Sequence, residues 1–236
     1  MSNSTGTSTR ECRDAMLGAI RASLGRGALG GEQAAELDRR LAEPRPNVVP
    51  ARGRIGPAAM TNLFVAEAER VNATVERLKT VEAVPCAVAG YLRGANLPLT
   101  VRVGTDPVLS SVDWSAEPAL QVKTGKAEDA DTTSVATAFA GIAETGTLML
   151  LSAPESPTTL NFLPPVHMVL LPVARIVGAY EDAWVKLRAM QTHGRMPRVV
   201  NWITGPSRTA DIEQTLLLGA HGPRRLHILI CDEPEG

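Results

Sequence analysis

Cysteine is scarce and scattered in this chain: Cys12, Cys86 and Cys231 are the three in 236 residues, with no CxxC pair and no Cys/His cluster. That spacing builds neither a zinc finger nor an iron–sulfur cluster, and it fits free thiols in a reducing compartment. Aromatic residues are 3% of the sequence, so stacking platforms for single-stranded bases are missing. An excess of either charge is missing too. The 24 basic and 25 acidic residues leave a net charge of -1, which makes no broad field for nucleic acid or an anionic membrane. No apolar run approaches the roughly 20 residues of a membrane span, and Met1 to Arg13 is Ser/Thr-rich without the apolar core of a secretory signal. The expectation is a cytoplasmic protein with no metal and no bound cofactor of its own.

What is present is enough apolar residue, 44%, for a sizeable core, in a length that suits one main domain with an appendage. Ser8 and Glu11 stand at capping-box spacing before a helical face of Leu17, Ile20 and Leu24. Gly25 to Gly31 interrupts it, Glu32 to Glu43 resumes a helical pattern, and Pro44, Pro46, Pro50 and Pro57 impose an extended connector. Residues 1–57 are therefore read as an arm and residues 58–236 as the body. In the body, Met60, Leu63, Phe64, Val71, Val75 and Leu78 recur at a helical period, predicting one helix over Ala58 to Thr80. Pro85 and Gly94 bracket a second helix, and Leu99 to Val103 reads as a strand. Further strands are predicted at Leu120–Lys123, Val135–Gly141, Thr145–Ser152, Met168–Leu171, Val199–Thr204 and Leu226–Cys231, with a helix over Glu181–Gln191. Several strands are apolar at successive positions, as strands buried on both faces are. The fold class expected is α/β.

Gly25, Gly27 and Gly30 spell GxGxxG, but the preceding residues have helical periodicity where a dinucleotide site needs a buried strand, so they read as linker. Glu144-Thr145-Gly146-Thr147 joins two apolar runs. A plain tight turn explains it; the functional alternative has Thr145, Gly146 and Thr147 hold an anion while Glu144 serves as acid, base or nucleophile. Gly205-Pro206-Ser207-Arg208-Thr209-Ala210-Asp211 follows a strand, where α/β proteins place ligands. Ser207, Arg208 and Thr209 suit an anion, with Asp211 and Glu213 orienting the guanidinium or a substrate hydroxyl; helix capping explains the same residues equally well. His221, between glycine-rich neighbours in Gly219-Ala220-His221-Gly222-Pro223, is the first acid/base candidate and His167 the second, while His193 and His227 are left outside any site. Ser207, His221 and Asp211 make no recognisable triad, since no GxSxG elbow is present. Glu144, Asp211 and His221 are thus the candidate catalytic residues. The loops carrying them, with Ser207 to Thr209, are expected to meet in one pocket.

IAETGTLML from Ile142 to Leu150, Leu163-Pro164-Pro165-Val166-His167, GPSRTADIEQTLLLGAHGP from Gly205 to Pro223 and the closing LHILI strand together resemble the LUD domain of the lactate-utilization protein C (LutC/YkgG) family, over roughly residues 58–232. The resemblance implies a three-layer α/β/α fold with a largely parallel sheet, similar to the NagB/RpiA/CoA transferase-like superfamily. It also implies a part in oxidising L-lactate to pyruvate beside partner subunits that carry iron–sulfur clusters. The leading reading of the residues is that this chain helps bind the hydroxy acid at the loops named above, or docks those partners. Two other readings stay open: a stand-alone superfamily enzyme acting on a phosphorylated, CoA-linked or nucleotide-activated substrate, and a regulatory binding module.

Overall fold

The computed structural model describes residues 9–25, 27, 29–190, 196–210, 216–218 and 221–232, with backbone alone for 209–210 and 216–218. The chain divides into two compact units, Met1–Asn47 and Val48–Gly236. The first holds helices α1 (Thr9–Ser23) and α2 (Gly31–Ala42), neither of which contains a buried residue. Met16, Ile20, Leu37 and Leu41 are exposed. Ser8, the cap of the expected capping box, lies outside the described residues. The second unit opens with part of the Pro-rich connector, where Gly53 packs so closely that a Cβ on it would stand 2.9 Å from the Gly178 carbonyl oxygen.

The body then runs α3 (Pro57–Arg70), β1 (Thr74–Leu78), α4 (Val84–Gly94), β2 (Thr100–Val103), α5 (Pro107–Ser110), β3 (Gln121–Thr124), β4 (Thr133–Thr137), β5 (Ala140–Ile142) and β6 (Thr147–Leu151). It continues with α6 (Thr159–Phe162), β7 (Val166–Pro172), β8 (Ile176–Val177), α7 (Tyr180–Ala189), β9 (Val200–Ile203), β10 (Arg208–Ala210), β11 (Leu216–Leu218) and β12 (Arg225–Cys231). Six strands form one parallel sheet in the order β1-β12-β7-β4-β2-β3. A smaller mixed sheet runs β8-β5-β6-β9, and β10 pairs with β11.

Alternation along the parallel strands sends side chains to two cores. Val135, Met168, Leu170 and Leu229 pack against Val84, Val88 and Leu92 of α4. Ala136, Val169, Leu171 and Ile228 face the other way, onto Phe64 and Ala68 of α3 and Leu148 and Leu150 of the small sheet. The outer face of the small sheet, through Ile142 and Met149, is covered by Ala183 and Leu187 of α7. The protein is thus α/β, with helices on both faces of a largely parallel sheet, as expected. Cys231, at the end of β12, is buried, whereas Cys12 and Cys86 are exposed.

Two expected elements divide. The helix predicted to reach Thr80 stops at Arg70, because Asn72 takes a left-handed φ of 68° and the Asn72 and Ala73 amides donate back to the Glu69 and Ala68 carbonyls. Val75 and Leu78, at helical spacing from the residues before them, lie on strand β1 instead. The run Val135–Gly141 is two strands in two sheets. The chain changes partners at Ala138 and Phe139, whose amides bond to Leu170 of the large sheet and Met149 of the small one.

Gly146 and Gly205 seat the small sheet on the end of α3. Both have positive φ, 64° and 70°; a Cβ on Gly146 would stand 2.6 Å from the Glu67 carbonyl carbon, and one on Gly205 3.2 Å from the Val71 Cβ. Two histidines are sealed inside the large sheet. Ser134 Oγ donates to the Leu160 carbonyl at 2.5 Å, so its 3.1 Å contact with His167 Nδ1 requires that nitrogen to carry the proton. His167 Nε2 then has no partner among the described residues, and burial lowers the His167 pKa from 6.5 to about 3. His227, stacked on Tyr91 with ring centroids 4.1 Å apart and 2.7 Å from Thr74 Oγ1, has its pKa lowered by burial to about 4, with a hydrogen bond to the Thr74 backbone opposing.

Gly146→Ala is expected to destabilise the fold by about 2–5 kcal/mol, the sum of a left-handed non-glycine backbone and a steric overlap with α3, measured by urea unfolding. An undiminished midpoint would show that the turn is free to move off the helix. Acid should also destabilise the protein. Above pH 6.5 both histidines are neutral in the folded and unfolded chain; below it the unfolded chain takes up protons that the folded chain refuses until about pH 4 for His227 and about pH 3 for His167. Stability is therefore lost as pH falls through this window, by up to about 1.4 kcal/mol per pH unit for each histidine. His167→Asn should flatten the dependence, and unfolding midpoints at pH 7, 6 and 5 measure it.

Candidate functional site

Four hydroxyls meet where the β5–β6 turn, the start of α7 and the end of β9 come together. Thr147 Oγ1 lies 2.7 Å from Thr145 Oγ1, 2.9 Å from the Tyr180 hydroxyl and 2.7 Å from Thr204 Oγ1, and Thr145 Oγ1 is 3.1 Å from Tyr180. Each hydroxyl has one proton to give, so four groups with four mutual contacts spend their donors on one another. What this cluster offers a ligand is lone pairs. It suits a substrate hydroxyl better than the anion for which Thr145 and Thr147 were singled out. Gly146 supplies the turn and the seat on α3. Glu144 beside it is buried, its amide donating to Gly178 at 3.1 Å, and its Oε2 has no partner among the described residues.

The second group of predicted residues gathers at Val71, just past the last turn of α3. Arg208 is exposed, and its Nη2 donates to the Val71 carbonyl just past the end of α3, the place where a cation complements the helix dipole. The Ser207 amide donates to the Pro223 carbonyl at 2.8 Å, and a Cβ on Gly222 would stand 3.6 Å from Ser207 Oγ. That pairing brings Ser207 beside the turn that carries His221, which is exposed. Thr209 lies on β10, where only its backbone is described; Asp211 and Glu213 lie outside the described residues, as does His193.

These loops come together through bonds at residues 147 to 204, 207 to 223 and 208 to 71. They do so at the amino ends of the parallel strands: Pro223 and Arg224 lead into β12, the Arg224 and Arg225 amides bond to Pro165 just before β7, and Val71 precedes β1. The loop after β9 does leave a strand's carboxyl end, but β9 belongs to the small sheet, which folds back along α3 and reverses the sense. His167, the second acid/base candidate, is sealed in the core and meets no solvent. Tyr180 and Thr204 were not foreseen. Their role rests on pairings across 33 and 57 residues, for which the sequence has no local signal.

Among the described residues no three His, Cys, Asp or Glu side chains gather to hold a metal ion, and no helix is long and apolar enough to cross a membrane. A family model for the LUD domain matches residues 61–231. An uncharacterized protein of Neisseria meningitidis serogroup B is 51% identical over 89 residues, 38% of this chain and 37% of that protein. Lactate utilization protein C of Shouchella clausii is 32% identical over 108 residues, 45% of this chain and 47% of the relative; that of Bacillus subtilis is 33% identical over 134 residues, 52% and 56%. The matches thus span about half or less of these curated relatives' lengths. The crystal structure of a DUF162 family protein from Deinococcus radiodurans shares the fold, with a TM-score of 0.56 and 19% identity over 75% of this chain and 99% of that one. Since the domain model spans most of the sequence, the chain belongs to the LUD domain family.

Proposed function

We propose that this protein is a component of a system that oxidises L-lactate to pyruvate, acting with iron–sulfur partner proteins and binding the hydroxy acid at the loops around the end of α3. The relatives named lactate utilization protein C support the pathway. The observation that carries the site is the meeting of the Glu144–Thr147 turn with the Ser207–Arg208 and His221 loops. Lactate presents one carboxylate and one adjacent hydroxyl, and the two halves of the site differ in the same sense. Arg208 and Ser207 bring donors for the carboxylate, whereas the hydroxyl cluster and Glu144 bring acceptors for the hydroxyl. Oxidation removes the hydroxyl and Cα hydrogens as two protons and two electrons. Glu144, or His221 from the solvent side, would take the hydroxyl proton, the Cα proton would pass to solvent, and the two electrons would leave one at a time to the iron–sulfur partners.

Arg208→Ala is expected to weaken L-lactate binding, measured by titration calorimetry, by at least about tenfold, the loss of a charge-assisted contact. Thermal stability should change little, because Arg208 is exposed and its bond to Val71 contributes about 1 kcal/mol or less. Unaltered binding together with a large drop in melting temperature would make Arg208 a helix cap and remove it from the site.

A further inference from the structure

A separate cleft of about 550 Å³ opens at the opposite, carboxyl end of the large sheet. It lies where β2 and β4 run side by side and their chains part: β2 leads on to β3 at one edge, while β4 leads toward β7 on the other side. Such a divergence leaves a crevice between the strand ends, and open α/β sheets bind ligands there. The crevice is braced, since the Gly104 amide donates to Val135 and the Thr105 amide to Glu155, at 3.1 and 2.8 Å.

Its lining is apolar on one side and polar at the strand ends. Phe139, Leu151, Leu187 and Met190 make the wall. At the strand ends stand Asp106, Thr137 and Arg175, with Glu155 at the rim. Asp106 Oδ1 accepts from the Val108 and Leu109 amides at 3.2 and 3.3 Å, but Oδ2 is buried and has no partner among the described residues. Thr137 lines the cleft and is 8% exposed, and its hydroxyl also has no partner among the described residues. Arg175 Nη1 is held on the Ala138 carbonyl at 2.7 Å. A buried oxygen that bonds to nothing costs free energy that a ligand's O–H or N–H recovers.

Charge and size narrow the occupant. Two carboxylates face one guanidinium among these lining residues, so an anionic ligand is disfavoured, and a three-carbon acid would leave most of the volume and all of the apolar wall unused. We propose that this cleft binds a neutral, hydroxyl-bearing aromatic molecule, its ring on the apolar wall and its hydroxyl donors on Asp106 and Thr137. Two sources share that chemistry, a nucleoside and a quinol. This site is independent of the one around α3.

The test titrates adenosine and, without oxygen, 1,4-dihydroxynaphthalene into the full chain, with AMP as the charged counterpart of adenosine. Saturable binding of either probe is expected, and whichever binds names the source; if adenosine binds, AMP should bind more weakly. Thr137→Val should weaken the bound probe by at least about tenfold while leaving the melting temperature unchanged or higher, since it removes an unpartnered hydroxyl from a buried position. Met190→Trp, at a position 62% exposed where folding is not at stake, should fill the mouth and abolish binding. Failure of both probes to saturate at millimolar concentration overturns the proposal. So does binding that survives both variants in folded protein.

Discussion

The small sheet rests on helix α3 backbone against backbone, and most of the candidate site depends on that contact. Gly146 and Gly205 bring two loops so near the last turn of α3 that no side chain fits between. Because they do, Leu148 and Leu150 reach the core shared by α3 and the large sheet, and Thr147 and Thr204 face one another at 2.7 Å. Arg208 then lands on the carbonyl of Val71. Hydroxyls, guanidinium and buried glutamate are placed by a steric constraint they do not themselves create.

Much of the fold was legible. The apolar runs that became β7 and β12 have every or nearly every residue buried, which leaves a local record in composition. Pro85 and Gly94 mark α4 for the same kind of reason, each expressing a backbone preference where it stands. What misled was coincidence of period: Val75 and Leu78 fall at helical spacing from Phe64 and Val71, and only the left-handed Asn72 stops the helix. The passage from β4 to β5 carries no turn residue at all, so a change of sheet read as one long strand.

The turns of the candidate site were legible in the sequence, and the end of the sheet at which they lie was not. Glu144, Ser207, Arg208 and His221 stand in turns next to strands, and the structure brings those turns together. Whether a turn faces the amino or the carboxyl end of the main sheet depends on which sheet its strand joins, and that is decided by pairings between β5, β6, β8 and β9 that no single segment reveals. The two ends differ in chemistry as a result. The amino end gathers hydroxyls that satisfy one another, with the buried Glu144 next to them in the chain; the carboxyl end leaves Asp106 and Thr137 oxygens without partners among the described residues, beside an apolar wall.

The three thiols make a built-in reporter of how this molecule opens. Cys12 and Cys86 meet solvent and will consume an alkylating reagent at once, whereas Cys231 closes β12, between β1 and β7, with 4% of its surface exposed. Because Cys231 packs in the core that the sheet shares with α4, the slow third equivalent of label counts openings of that core under native conditions. Its rate separates a ligand that merely stiffens the loops from one that holds this core shut.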